Sequence, residues 1–300
     1  MPFKTDFDAF MSECWQHHEA QPEQTYAQLE TALSEVENVS HIERIFALML
    51  HTAIGHLQRP EPFLACLERF DERKVAESSA LQRSIAVARY FVDGTDNMEL
   101  LEEQDQRRVY ALISNELSAL AQLELASQWL EKAALGMTPQ DAEGPLARSI
   151  AITANNLACQ YEALAERTDV EKSRMLEAAK LALDYWKVAG GWMQEERAEY
   201  RLAMSLLKAG EAGQAKQHAE RCEAICQQNG GDAFELFHAH DLLMQVHFHL
   251  SQKYKARVDV GDAAILHNEF VDMISTLNKK APPSEWLGGS YFVSSLITRC

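Results

Sequence analysis

The sequence has few helix-breaking residues, few basic residues and no long apolar run. Its 300 residues include only 8 prolines and 13 glycines, which favours long regular elements. Lysine and arginine total 28 against 45 aspartates and glutamates, so the formal net charge is −17. This charge argues against nucleic acid as a partner, because phosphate binding needs a basic face. No segment approaches the roughly 18 apolar residues of a membrane span, so no membrane contact is expected.

Signals for export and for cofactor binding are also missing. The first 20 residues have no basic stretch followed by a continuous apolar run. The six cysteines are scattered and mostly lie in apolar periodic patterns, which is typical of reduced, buried thiols. We therefore expect a cytoplasmic protein. We predict neither a cofactor nor a catalytic residue, because no phosphate-binding glycine loop, nucleophile elbow, His-Glu-x-x-His or Cys-x-x-Cys motif is present.

Apolar residues recur at helical spacing nearly throughout, whereas strand-like alternation is almost absent. In one early segment the apolar positions are Tyr26, Leu29, Ala32, Leu33 and Val36. Pro60 marks a boundary and a new helix start, and a later helix is expected to stop at Asp93-Gly94. The pattern predicts an all-α protein.

Four later segments superpose on one helix-turn-helix template. Equivalent packing positions recur 44, 45 and 41 residues apart, at Ser114, Ala158, Ala203 and Met244. Three return helices carry a small residue where two helices must approach closely, at Ala126, Ala215 and Ala256. Tandem α-hairpins are therefore predicted.

Two of these segments, ANNLACQYEAL and LAMSLLKAGEAGQAKQHAERC, resemble tetratricopeptide (TPR) repeats. The spacing exceeds the roughly 34 residues of the TPR consensus. Longer repeats of this kind are similar to TPR-like sensor regions of bacterial signalling proteins. The resemblance implies a right-handed α-solenoid that acts as a non-catalytic scaffold for a protein or peptide. It predicts degenerate repeats in residues 1–104, TPR-like repeats in 105–280 and a capping or docking tail in 281–300.

The segment Asn229–Asp232 looks at first like the GGDEF loop of diguanylate cyclases. Helical patterns flank it on both sides, however, and no Val/Ile-rich strand is nearby. We predict a joint between two helices, in which Asp232 caps the second helix and Glu235 completes a capping box.

The first helix of each stacked α-hairpin lines the concave side of a solenoid, so its residues off the packing stripe are expected to face a partner. Such polar side chains can hold an extended peptide by its carboxylates and amides. The predicted partner-binding residues are Arg108, Asn115, Asn155, Glu162, Arg197, Tyr200, Met204, Lys208, His238, Asp241 and Gln245, with Cys159 and His249 on the same line.

Two alternative functions stay open. The resemblance to sensor regions also implies a ligand- or peptide-responsive bacterial signalling regulator. A metal-dependent enzyme is the other alternative, because one helix carries His238, His240, His247 and His249. That spacing lacks the His-x₃-His pattern that puts two imidazoles on adjacent turns, so our main expectation is that no metal binds there.

The C-terminal tail is unusually apolar for a chain end, with Trp286, Leu287, Tyr291, Phe292 and Val293 close together. We expect it to cover the exposed end of the solenoid. The alternative is docking onto a partner or a second copy, which would give a homodimer through the tail.

Overall fold

The computed structural model describes residues 6–255 except 96, 143 and 232. All regular elements in this part of the chain are helical, and it contains no strand, so the predicted all-α class is confirmed. None of the helices described has the length and apolar character that a membrane crossing needs. Ala256, the return helix expected around it and the tail 281–300 lie outside the described residues.

The chain divides into two compact units between Thr138 and Pro139. The division falls inside the segment 136–145, GMTPQDAEGP, which contains two glycines and two prolines. The predicted limits at 104 and 280 stay predictions. Each unit is described by itself below.

The first unit contains eight α-helices among its described residues. They are α1 (Phe7–His17), α2 (Pro22–Leu33), α3 (Val39–His51), α4 (Pro60–Glu68), α5 (Glu72–Glu77), α6 (Ser79–Asp93), α7 (Glu103–Ala119) and α8 (Leu123–Ala134). A π-helical turn, Thr52–His56, continues α3 directly, and a 3₁₀ turn, Asn97–Leu100, precedes α7. Pro60 is the first residue of α4, and Gly94 ends α6 in the left-handed conformation with φ 73°, both as predicted.

The second unit contains five α-helices within the described part. They are α9 (Gly144–Ala163), α10 (Asp169–Ala189), α11 (Trp192–Ala209), α12 (Ala212–Gln228) and α13 (Ala233–Lys255). Consecutive helices pack against each other, and α11 also contacts α9 and α13. Gly210 reverses the chain between α11 and α12 at φ 86°. The α-hairpins predicted for α9–α10 and α11–α12 are therefore present.

The segment that resembles a cyclase loop is a turn between α12 and α13. Helix α12 ends at Gln228, Asn229 follows as its C-cap, and Gly230 has φ 66°. The predicted joint is confirmed, whereas the predicted capping box depends on Asp232, which lies outside the described residues. Glu235 forms an ion pair with Arg197 at 2.6 Å.

The α7–α8 hairpin shows why small residues occupy the predicted packing positions. The hydroxyl of Ser114 on α7 donates a hydrogen bond to the carbonyl oxygen of Ala126 on α8, over 2.7 Å. Both residues are completely buried. A larger side chain at either position would push the backbones of α7 and α8 apart. The side chains of the two helices would then no longer interlock, because that packing requires the helices to lie close together.

Replacing Ala126 by leucine tests this close approach. We expect Ala126→Leu to lower the free energy of unfolding by about 1–3 kcal/mol through overpacking. Gln128→Leu adds the same side chain at an exposed position of the same helix and should leave stability nearly unchanged. Urea unfolding midpoints measure both, and equal midpoints for the two variants would contradict the packing argument.

Candidate functional site

Helix α11 is open to solvent along a single stripe in its middle and last turns. Arg197, Tyr200 and Met204 are half-buried and Lys208 is exposed, whereas all other residues from 196 to 207 are buried. These four residues are three or four positions apart and therefore lie on one helix face. The other faces are covered because α9, α10, α12 and α13 all contact α11. The four accessible residues are those that the sequence predicts for this helix.

A second accessible line on α13 adjoins the first. His238, Asp241 and Gln245 are half-buried and again share one face. The rings of Tyr200 and His238 meet edge to face with centroids 6.4 Å apart. We call this joint surface the α11–α13 stripe, and it consists of Arg197, Tyr200, Met204, Lys208, His238, Asp241 and Gln245.

The α11–α13 stripe has few unbalanced charges. The guanidinium of Arg197 is paired with the buried carboxylate of Glu235. Burial raises the pKa of Tyr200 to about 12 and lowers the pKa of His238, so both rings are neutral at neutral pH. Gln245 donates to the carboxylate of Asp241 over 2.7 Å. The stripe is therefore an amphipathic surface with two aromatic edges, a thioether and a few hydrogen-bonding groups.

Two residues predicted to face a partner from α9 have side chains that are largely covered instead, and the side chain of Glu162 is 8% exposed. Asn155 is 2% exposed. The carboxylate of Glu162 accepts from Arg201 at 2.6 Å and from Ser205 at 2.5 Å, both on α11. They lie inside the packing because α9 is covered by α10 and α11 together, which narrows its accessible face. Cys159, on the same predicted line, is half-buried.

The two residues predicted on α7 belong to the first unit. Arg108 donates to Asp105 at 3.4 Å, and Asn115 donates to the carboxylate of Glu116 at 3.2 Å. The α11–α13 stripe is complete without them, since all its members lie in the second unit.

The histidines of α13 do not converge on one point. His240 contacts the carboxylate of Glu223 at 2.9 Å, and His249 donates to the backbone carbonyl of Gln245 at 2.9 Å. His238 packs against the ring of Phe234, with centroids 4.5 Å apart. Among the described residues, no three of the α13 histidines bring ligand atoms together. The geometry does not support the alternative of a metal site at His238–His249.

Three other histidines do converge, in the first unit. Each of His18, His51 and His56 offers one ring nitrogen, and these nitrogens all lie within 4.8 Å of one another. The Nε2 atoms of His51 and His56 are 3.3 Å apart. We call these three residues the histidine triad. His18 is buried, and the other two are half-buried.

The π-helical turn brings two members of the histidine triad together. In a regular α-helix, residues five apart point about 140° away from each other, because each turn has 3.6 residues. Here the amide of Leu57 donates to the Thr52 carbonyl, five residues back, over 2.9 Å. This wider turn returns His56 to the side of His51, and such turns are frequent at functional sites.

Gly55 leaves the room that this arrangement needs. A methyl group at Gly55 would lie 3.1 Å from the Cβ of Ala119, 3.2 Å from a carboxylate oxygen of Glu116 and 3.3 Å from the ring of His51. These distances are shorter than ordinary van der Waals contacts, so an alanine here would push at least one neighbour away.

Fixed acceptors determine which nitrogen of His18 and of His51 carries a proton. The Nδ1 of His18 donates to the backbone carbonyl of Trp15 at 2.6 Å, and the Nδ1 of His51 donates to Glu116 at 2.9 Å. A carbonyl and a carboxylate can only accept, so each neutral ring has its lone pair on Nε2. This is the tautomer in which a histidine binds a metal through Nε2.

Burial and mutual repulsion keep two of the rings neutral. Burial, followed by the charge of His51, lowers the pKa of His18 to about 4 and of His56 to about 4. Burial acts in the same direction on His51, but the adjacent Glu116 carboxylate outweighs it and raises the pKa of His51. The cluster therefore favours at most one positive charge, next to a negative one.

The sequence does not predict the histidine triad, because the apolar spacing through residues 42–57 is that of a regular α-helix, which would direct His51 and His56 apart. One signal was present, since Gly55 interrupts an apolar helical run between two histidines. A glycine there costs roughly 1 kcal/mol relative to alanine, and it is retained where packing or function needs the space.

No family model matches the chain, and no curated protein matches it. The all-α fold and its α-hairpins therefore rest on the geometry described above, and the TPR resemblance stays a prediction.

A buried carboxylate beside the α11–α13 stripe makes the stability of the folded protein depend on pH. Glu196 on α11 is 1% exposed and accepts a hydrogen bond from the thiol of Cys222 at 2.9 Å. Its other oxygen has no hydrogen-bond partner among the described residues. Burial raises the pKa of Glu196 to about 7, although the thiol acts in the opposite direction. Because the pKa of Glu196 in the folded state exceeds the ordinary value of 4.5, the folded state holds its proton more tightly than the unfolded state. The stability that this proton contributes is fully present below pH 4.5 and is lost as pH rises through 7.

We expect Glu196→Gln to stabilise the protein at pH 8 by an amount on the order of 2 kcal/mol, because it removes a buried, poorly compensated charge. The advantage should be much smaller at pH 5, where the carboxyl of the folded protein is protonated, and should vanish below pH 4.5. Urea unfolding at the two pH values measures the difference. Glu220→Gln, at an exposed position of α12, is the control and should show no such dependence. An equal effect of Glu196→Gln at both pH values would contradict the assignment.

Proposed function

We propose that this protein is a non-catalytic interaction module that binds an extended peptide segment of a partner protein along the α11–α13 stripe. One observation carries the proposal. Between residues 196 and 207, helix α11 is buried except on the face of Arg197, Tyr200 and Met204, which continues to the exposed Lys208. That face adjoins the accessible line of α13.

The chemistry of the stripe suits a peptide better than a small charged substrate. Tyr200, His238 and Met204 offer aromatic edges and a deformable thioether, which are typical anchors for an apolar side chain. Gln245, Asp241 and Lys208 can hydrogen-bond the amides and carbonyls of an extended backbone. Aromatic anchors surrounded by polar groups are the usual composition of the energetically important centre of an interface.

The finer features expected from the sequence belong to this proposal. They are a right-handed TPR-like solenoid, a scaffold role in bacterial signalling and a cytoplasmic location. The TPR resemblance and the paired helices of the second unit support the solenoid, and the scaffold role and the location follow from the sequence expectations alone.

The choice of test residues follows from burial. Arg197 and Asn155 are poor choices, because Arg197 neutralises the buried carboxylate of Glu235 and Asn155 is itself buried. Removing either would destabilise the fold and obscure an effect on binding. Tyr200 and Met204 are half-buried, and neither forms an ion pair in the described part of the chain.

The test is selection of peptides from a random displayed library on the immobilised full-length protein, followed by calorimetry with the enriched peptides. We expect Tyr200→Ala with Met204→Ala to weaken binding about tenfold or more, since both remove anchor contacts. Met204→Glu, which adds a charge at a half-buried position, should weaken binding of apolar peptides similarly.

The matched control is Lys216→Ala with Glu220→Ala, which removes a surface ion pair on α12 and should leave peptide affinity unchanged. Melting temperatures of all variants separate lost binding from lost folding. Enriched peptides that bind the Tyr200/Met204 variants as well as the original protein, or a library that yields no enriched peptide, would refute the proposal.

A further inference from the structure

We propose that His18, His51 and His56 bind one divalent transition-metal ion, with Zn²⁺ as the expected occupant, through one ring nitrogen each. This site lies in the first unit and is independent of the peptide binding proposed for the second unit.

The distances within the histidine triad fit a common metal ion. Two nitrogens bound to tetrahedral zinc at about 2.0–2.1 Å are about 3.3 Å apart. The Nε2 atoms of His51 and His56 are separated by 3.3 Å. The third nitrogen lies within 4.8 Å of the others, so small rotations of the side chains bring all three to bonding distance.

The donor set selects the class of metal. Imidazole nitrogens suit Zn²⁺, Co²⁺, Ni²⁺ and Cu²⁺, whereas Mg²⁺ and Ca²⁺ prefer oxygen ligands. Three histidines bound through one nitrogen each also leave a coordination position for water or for an external ligand, as in three-histidine zinc sites. Zinc has no redox chemistry and accepts tetrahedral geometry without strain, which suits a partly enclosed cluster on short helices.

The surroundings of the triad hold the rings in a metal-binding orientation. The Nδ1 of His51 donates to Glu116, and the Nδ1 of His18 donates to the Trp15 carbonyl, so both Nε2 atoms are available as ligands. Histidines that bind metals almost always donate their other nitrogen to a carboxylate or carbonyl in this way. Asn115 donates to the same Glu116 carboxylate and so helps to fix it. We assign Glu116 as a positioning residue.

Metal binding would connect two segments of the first unit directly and a third through Glu116. His18 follows α1, His51 ends α3, His56 ends the π-helical turn, and Glu116 is on α7. An ion at this point therefore joins elements that are distant in sequence. Because the unfolded chain has no preformed site, a bound ion stabilises the folded state.

A hydrogen-bonded histidine cluster without metal is the competing explanation. A proton on the Nε2 of His56 could be shared with the Nε2 of His51 over the same 3.3 Å. The two explanations differ in metal uptake, in the spectrum of a bound probe ion and in the effect of Glu116.

The first experiment uses the full-length protein after chelator treatment. Zn²⁺ is then added back, and excess metal is removed by dialysis against metal-free buffer. We expect about one equivalent of Zn²⁺ to be retained and to raise the melting temperature. Co²⁺ should give the intense visible absorption of a four-coordinate site with nitrogen ligands. No retained metal, or a Co²⁺ spectrum like that of the hydrated ion, would establish the hydrogen-bonded cluster and overturn the proposal.

Substitutions locate the ion. His18→Gln and His56→Gln should each lower Zn²⁺ affinity at least about 100-fold, more than the loss usual for a positioning residue. His17→Gln, at the exposed neighbour of His18, and His240→Gln on α13 are the controls and should bind like the original protein. His56 is half-buried, so its variant is expected to fold even if His18→Gln does not. Unchanged affinity in His56→Gln would refute the site.

Glu116 and Gly55 test the surroundings of the ion. We expect Glu116→Gln to lower Zn²⁺ affinity about 10- to 100-fold while the Co²⁺ spectrum keeps its four-coordinate form. Gly55→Ala should weaken binding because its methyl group would crowd His51 and Glu116. A purely structural role for Glu116 would lower the melting temperature of the metal-free protein without changing affinity. That result would overturn its assignment as a positioning residue.

Discussion

Small side chains at the contacts between neighbouring helices determine which face of α11 stays accessible to solvent in the second unit. Ala198, Ala203 and Ser205 of α11 are completely or almost completely buried, as are Ala215 and Ala219 of α12. Because these residues leave little space between backbones, four helices can approach α11 at once. From residue 196 to residue 207 the helix keeps only one accessible face. The position of the α11–α13 stripe is thus a consequence of packing around it.

The histidine triad depends on a different constraint, a single wider turn in the backbone. The π-helical turn after α3 interrupts the regular α-helical hydrogen bonds, and Gly55 within it has no side chain that could pack against its neighbours. In return, His51 and His56, which a regular helix would direct apart, bring their Nε2 atoms within 3.3 Å of each other. Local backbone irregularity of this kind persists where the surrounding packing holds it, and here Glu116 and Ala119 of α7 border it directly.

Local chemistry accounts for what could be predicted from the sequence. Helix ends at Pro60, Gly94 and Gly210 follow from residues whose backbone preferences are strong, and the accessible face of α11 follows from its period. Asn155 was misplaced because the width of an accessible face depends on how many helices cover it, which periodicity does not reveal. The histidine triad was missed because its members are brought together by tertiary contact and by a turn that departs from 3.6 residues.

The ion pair between Arg201 and Glu162 has a consequence for folding fidelity. Both side chains are almost fully buried, and they join α9 to α11 at 2.6 Å. Apolar stripes of similar helices can slide past one another by a turn at little cost, so chains of this architecture are exposed to mispairing. A one-turn slip would leave a guanidinium and a carboxylate each without a counter-charge away from water, at a cost of several kcal/mol. We therefore expect the pair to favour the native alignment of α9 and α11 over alignments shifted by one turn.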